Sequence, residues 1–145
     1  HKAIRRQRQM CIRDSCLWYP VGSGDFLYAF FSTVCVRLEN GEWGSHYPVL
    51  MNELYAGHLK WQDACKAKRE LEDIQRRLKA FSPAEVVWNA EDLTKLPPWG
   101  ENISKDISDL SNYFVTSNGE DLITVMLDAL KTAKKEKVDV EILSL

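Results

Sequence analysis

Three histidines, four cysteines and 21 carboxylates are the side chains of this 145-residue chain that could do acid–base, nucleophilic or metal chemistry. His1 belongs to a basic leader, while His46 and His58 flank a short helix expected over Pro48 to Tyr55, with Glu53 inside it. An imidazole or carboxylate needs a partner at a recognisable spacing to act as a general base, and no Ser or Cys nucleophile stands in such a relation to these three. They read as surface or cap residues; a small hydrolase or ligand-binding enzyme using Glu53, His46 or His58 near Trp43 is the alternative. The cysteines at 11, 16, 35 and 65 form no Cys-x-x-Cys pair and match no zinc spacing with histidine. Glu91-Asp92 and the pair Asp106 and Asp109 could bind a divalent ion, but the Asp-x-Asp-x-Asp-Gly order of a calcium loop is missing. Gly22-Ser23-Gly24 precedes an expected helix, where backbone N–H groups can hold an anion. Without a Gly-Lys-Ser/Thr ending, and with Asp25 where phosphate would sit, it reads as a cap, through Ser23 or Asp25. No catalytic residue, metal or cofactor is therefore assigned.

The collective signal lies elsewhere. Between Glu85 and Asp128 stand nine acidic residues against Lys95 and Lys105, a local net of −7, and Trp88, Trp99, Tyr113 and Phe114 fall in the same span. Aromatic anchors in a field of one sign suit a protein-binding surface, the rings giving affinity and the charge speeding encounter with a basic partner. The residues expected to form it are Trp99, Glu91, Asp92, Glu101, Asp106, Asp109 and Tyr113. Trp88 reads as core, and Trp99 fits either the core or an exposed anchor.

The elements that must position these residues follow from periodicity. Leu17 to Val21 reads as a strand ending in the Gly-Ser-Gly turn. Phe26, Leu27, Phe30, Phe31, Val34, Cys35 and Leu38 then recur at three- and four-residue steps, predicting the central core helix, which Asn40-Gly41 stops. A longer amphipathic helix is expected from about Trp61 to Phe81, its charged remainder forming a solvated face. Ser82-Pro83-Ala84-Glu85 has the form of a capping box before a strand over Val86–Trp88. Leu96-Pro97-Pro98-Trp99-Gly100 must be a rigid loop, since adjacent prolines fix φ and push their predecessors toward extended geometry. Tyr113 to Thr116 reads as a short strand, Ser117 to Glu120 as a second capping box, about Glu120 to Lys135 as a helix with Leu122, Ile123, Met126, Leu127 and Leu130 on one stripe, and Val138 to Leu143 as a closing strand. The sum is an α+β fold, a small sheet packed by three or four helices in a single domain.

The first fifteen residues, HKAIRRQRQMCIRDS, are basic and poor in large apolar residues, and no apolar stretch follows as in a signal peptide. Met10 to Ser15 resembles the translation of a transposon end used in sequencing libraries. Residues 1–15 are accordingly read as a non-native or disordered leader and 16–145 as the domain. Arg5, Arg6 and Arg8 as a nucleic-acid arm are the lesser alternative. Without the leader the chain holds 14 Lys and Arg against 20 Asp and Glu, net −6, a balance that repels nucleic acid and anionic lipid and favours basic partners. No apolar run approaches the length of a bilayer span. Reduced thiols and a cytoplasmic location are expected.

Val21 to Phe26, Trp43-Gly44, Pro48 to Tyr55, Val87-Trp88, Pro97-Pro98-Trp99-Gly100 and Asp109 to Gly119 are similar, in order and spacing, to the immunity protein 70 family of bacterial polymorphic toxin systems. The resemblance covers nearly everything from Trp18 to Lys135, and Pro-Pro-Trp-Gly with the Leu-Ser-Asn-Tyr-Phe-Val-Thr-Ser run is its most specific part. Asn89 stands where an acid is expected. The resemblance implies a small cytoplasmic α+β protein that neutralises a cognate toxin by binding it stoichiometrically, with no catalytic residues. The net charge makes a basic toxin domain such as a nuclease the expected partner. A non-toxin adaptor domain is a further alternative.

Overall fold

The computed structural model describes residues 7–12 and 18–144. Its first described element, β1 (Gln7–Ile12), falls in the stretch read as a leader. It pairs antiparallel on one side with β2 (Trp18–Ser23) and on the other with β4 (Val140–Ser144). Met10 and Ile12 are fully buried. The expectation of a disordered stretch therefore does not hold for these six residues. Residues 1–6 and 13–17, with Cys16 among them, lie outside the described residues. β3 (His58–Leu59) joins the free edge of β4, giving the antiparallel order β2-β1-β4-β3. Pro20 sits in β2, an edge strand, where its missing N–H costs no ladder bond.

Among the described residues three α-helices complete the domain, the first and third packing on the sheet and the second on the third. Ser23, rather than Asp25, caps α1 (Gly24–Thr33), its hydroxyl accepting from the Phe26 N–H at 3.2 Å. The helix continues into a π-helical turn over Val34–Leu38 and stops where Asn40 and Gly41 take φ of 55° and 83°. Val49–Leu54, expected as ordinary helix, is a second π-helical turn. A single 3₁₀ turn, Trp61–Asp63, leads into α2 (Ala64–Leu78), which buries Ala64, Ala67, Leu71, Ile74 and Leu78 at helical spacing. α3 (Leu122–Glu136) buries Leu122, Ile123, Met126, Ala129, Leu130 and Ala133. Its cap is Asp121, which accepts from the Thr124 N–H at 3.0 Å, and not Ser117. Residues 117–119 are used in a turn that the Thr116 N–H closes onto the Glu120 carbonyl at 2.7 Å. The α+β single-domain expectation holds, with Phe30, Phe31 and Phe114 among the largest fully buried side chains.

Two expected strands are absent for a physical reason. Val86–Trp88 has no strand neighbour because Thr33 of α1 serves both main-chain groups of Val87. The threonine oxygen accepts from the Val87 N–H at 3.0 Å, and its proton is shared between the Ala29 carbonyl at 2.8 Å and the Val87 carbonyl at 3.1 Å. Tyr113 to Thr116 makes only one bridge, Val115 to Asp121, as the chain doubles back toward α3. The capping box at Ser82 is likewise not formed by side chains. A 3₁₀ turn over Pro83–Glu85 closes on the Ser82 carbonyl instead, through the Glu85 N–H at 3.0 Å.

Candidate functional site

Between Val86 and Phe114 the chain runs without helix or strand, and its order comes from side chains. Asp92 accepts from the Thr94 N–H at 3.1 Å and the Thr94 hydroxyl at 2.6 Å, closing a turn on itself. Asp109 does the same with Ser111, accepting its N–H at 2.8 Å and also bonding its hydroxyl. Asn112 accepts from the N–H groups of Ser108 and Asp109 at 3.1 and 3.2 Å and donates to the Asp106 carbonyl at 3.1 Å. These turns remove the conformational freedom that a 29-residue irregular connection would otherwise keep.

Trp99 is held at the centre of this segment. Its ring lies edge-on to Phe26 of α1, with centroids 5.1 Å apart, and to Trp88 at 5.5 Å. Its indole N–H donates to the Tyr113 hydroxyl at 2.8 Å. Tyr113 is only 3% exposed, so the ring expected on the surface belongs to the core and reaches Trp99 from beneath. Burial raises its phenol pKa, against the lowering effect of the Trp99 N–H. Trp99 itself is half-buried, which joins the two expectations for it: one face packs inward and the rest lines a shallow groove. Trp88 packs against the core, as expected.

Two depressions flank this ring. One, of about 200 Å³, is lined by Phe26, Trp99, Ile103, Ile107 and Val115. The other, of about 310 Å³, is lined by Pro83, Val86, Leu96, Pro97, Ile103 and Glu101. Leu93 and Leu96 stand 66% and 75% exposed on the same segment. Isolated exposed leucines are ordinary on a protein surface; Leu96, which lines the larger of these apolar grooves, is of the kind that a docking face uses.

The acids expected with Trp99 divide among different tasks. Glu101 lines the larger groove and is exposed. Asp106 is exposed and faces the Ser104 hydroxyl at 3.5 Å, beside the smaller groove that Ser104 lines. Asp92 and Asp109 are half-buried turn formers. The Thr94 hydroxyl and N–H lower the pKa of Asp92. At Asp109 partial burial alone would raise the pKa, but the Ser111 hydroxyl and N–H and the Ser108 hydroxyl outweigh it and lower it. Glu91 lies elsewhere, at a larger depression with Tyr28, Trp43 and Tyr55.

That depression is the one beside Trp43, where the alternative reading put an enzyme site, and Glu53, His46 and His58 are not among its lining residues. His46 bonds the Ser45 hydroxyl at 3.0 Å through Nδ1, and His58 Nε2 lies 3.1 Å from Asp139, whose other oxygen accepts from the Trp61 N–H at 2.9 Å. Among the described residues, no group of three or more His, Cys, Asp or Glu side chains is placed to hold a metal ion, and Cys35 and Cys65 are free thiols. No helix among them is long and apolar enough to cross a membrane.

Sequence reasoning missed two carboxylates, one buried and one half-buried, that shape this part of the molecule. Glu39, 1% exposed, accepts from the N–H groups of Gly44, His46 and Tyr47 at 3.1, 2.9 and 2.9 Å and so fixes the turn carrying Trp43. Glu70 of α2 accepts from the Leu50 N–H at 2.8 Å and the Val49 N–H at 3.4 Å, capping the second π-helical turn from a neighbouring helix. No spacing in the sequence announces either contact: Glu39 reaches donors five to eight residues on in an irregular turn, and Glu70 reaches a turn 20 and 21 residues earlier.

The described residues thus form an α+β domain with a loop face centred on the Trp99 ring. A family model, Immunity protein 70, matches residues 12–142. The chain belongs to the Immunity protein 70 family, and membership implies a toxin as its partner. Comparison with curated proteins found no match, and comparison with solved structures found none either.

Proposed function

We propose that this immunity protein neutralises its cognate toxin by stoichiometric binding through the loop face built around Trp99. The observation that carries the reading is Leu96, 75% exposed on the rim of an apolar groove that also holds the carboxylate of Glu101. Leu93, Leu96 and the free part of Trp99 supply the apolar centre. Glu101 and Asp106 supply charge at its rim, and Asp92 and Asp109 act through the turns they close. Tyr113 contributes by holding Trp99 in place. Preorganisation matters because a loop already ordered by its own side chains loses little entropy on docking.

The charge of the face favours a basic toxin domain, a nuclease among the candidates, and the expected setting is the cytoplasm. Rim carboxylates act mainly on encounter, while the buried centre sets the lifetime of the complex. Cells expressing the toxin and carrying Trp99→Ala or the pair Asp106→Lys and Asp109→Lys are expected to lose protection that the unaltered chain gives. Full protection by these variants, at equal protein levels, removes this face as the toxin-binding surface.

A further inference from the structure

The depression beside Trp43, of about 540 Å³, is lined by Tyr28, Trp43, Met51, Asn52, Tyr55 and Glu91. Its three rings come from three different parts of the chain. Tyr28 belongs to α1, Trp43 to the turn after it, and Tyr55 follows the second π-helical turn. Their centroids are 6.3 Å apart for Tyr28 and Trp43, 6.0 Å for Tyr28 and Tyr55, and 5.4 Å for Trp43 and Tyr55.

The walls are fixed. The Trp43 indole N–H donates to the Met51 carbonyl at 2.9 Å, and the Glu39 carboxylate holds the backbone just beyond Trp43. Gly44 takes φ of +80°, and a Cβ there would come within 2.4 Å of the Asn52 side chain, so only glycine lets this turn close on the pocket. Both π-helical turns border the same depression, one through Cys35 and Val36 and the other through Met51 and Asn52. Such turns cost helix geometry and concentrate at functional sites.

The polar atoms are those that a cation seeks. Glu91 is exposed, and among the described residues no cation pairs with its carboxylate. The hydroxyls of Tyr28 and Tyr55 make no hydrogen bond within the described residues. Among the described residues no Lys or Arg lines the depression; Arg8 bears on Tyr55 from a neighbouring one that it shares with Gly24 and Leu27. Aromatic faces carry a negative quadrupole that attracts an ammonium or guanidinium, and a carboxylate at the mouth adds its charge. A planar guanidinium stacks on such faces better than a lysine head.

We propose that this depression binds an arginine side chain of the toxin, as a second anchor point apart from the Trp99 face. The assignment rests on the toxin-binding reading for the source of the arginine, whereas affinity for a guanidinium belongs to the pocket itself. Titrating the ¹⁵N-labelled full chain with methylguanidinium, at concentrations well below those that unfold proteins, tests the pocket without any toxin. A saturable shift of the Trp43 indole N–H is expected, with no comparable response to the neutral, planar N-methylurea. Glu91→Gln, at an exposed position that leaves the fold intact, is expected to weaken methylguanidinium about two- to fivefold, as loss of one exposed charge contact should. Equal responses to the two probes, or an unaltered titration in Glu91→Gln, overturn the site. In a second arm, Glu91→Gln is expected to weaken the toxin complex by a similar factor; a pocket that binds methylguanidinium while Glu91→Gln leaves the toxin complex unchanged overturns the toxin arginine as its occupant. A toxin complex insensitive to Trp99→Ala would count against the Trp99 face and leave the methylguanidinium result standing.

Discussion

The indole N–H of Trp99 donates to the hydroxyl of Tyr113 across 2.8 Å, joining a half-buried ring on an irregular loop to a ring in the core. This bond fixes the ring against the core and so limits the conformations open to the loop. Tyr113→Phe keeps the packing but leaves the indole N–H without its acceptor. It is expected to lower stability by about 1 kcal/mol, read as a shift in urea midpoint at unchanged slope. An unchanged midpoint would show that the bond does not hold the loop.

Charge at the rim should act on rates. Glu101→Lys combined with Asp106→Lys is expected to slow association with a basic toxin roughly tenfold at low salt, with dissociation little changed and the difference shrinking as salt is raised. Surface plasmon resonance at two ionic strengths separates the cases. An effect confined to dissociation would place these carboxylates inside the contact instead of at its edge.

Glu39 makes a strong prediction about folding. In Glu39→Gln one carboxylate oxygen becomes an NH₂ group facing backbone donors that now lack a partner. A cost of about 1–3 kcal/mol is expected, read by urea denaturation, along with a shifted Trp43 indole resonance, since this carboxylate shapes the turn that carries the ring.

The order of the fold was legible wherever an apolar period ran long enough. The apolar face from Phe26 to Leu38, across α1 and the π-helical turn after it, the stripe of α3 and the alternation of β4 each repeat over several residues, and the Ser23 cap and the Asn40-Gly41 stop mark ends by local chemistry. β1 was not legible because only Met10 and Ile12 alternate among charged and polar neighbours, and its strand character comes from pairing on both sides. Val87 reads as a strand by composition, yet Thr33 takes its main-chain bonds. In the candidate site, the paired prolines announce the irregular loop that carries Trp99. Tyr113 was placed on the wrong side because an isolated tyrosine in a loop has no period to assign its face. The split of Glu91 from Glu101 could not be read from residues ten apart on an irregular segment.

Tyr47 and Asp73 give a pH dependence with a definite sign. The Tyr47 hydroxyl donates to Asp73 at 2.7 Å while accepting from Arg77 at 2.6 Å, and Asp73 also pairs with Arg76. The Tyr47 bond is the largest cause of a lowered Asp73 pKa, with Arg76 acting in the same direction against the effect of burial. A depressed carboxyl pKa contributes stability above the unfolded-state value, and that contribution is lost as pH falls through the folded-state value. The urea midpoint of the unaltered chain should therefore exceed that of Tyr47→Phe most at neutral pH, and the gap should narrow through the acid range. A gap independent of pH would mean that the tyrosine acts through packing alone.

Calorimetric titration of the purified chain into its cognate toxin domain bears most directly on neutralisation by occupancy. Saturation at a fixed stoichiometric ratio is predicted, with toxin activity falling in proportion to the fraction bound and with Trp99→Ala weakening the complex at least tenfold, on the order of a modest interface hot spot. Loss of toxin activity at far below one equivalent, with no saturable heat, would contradict it.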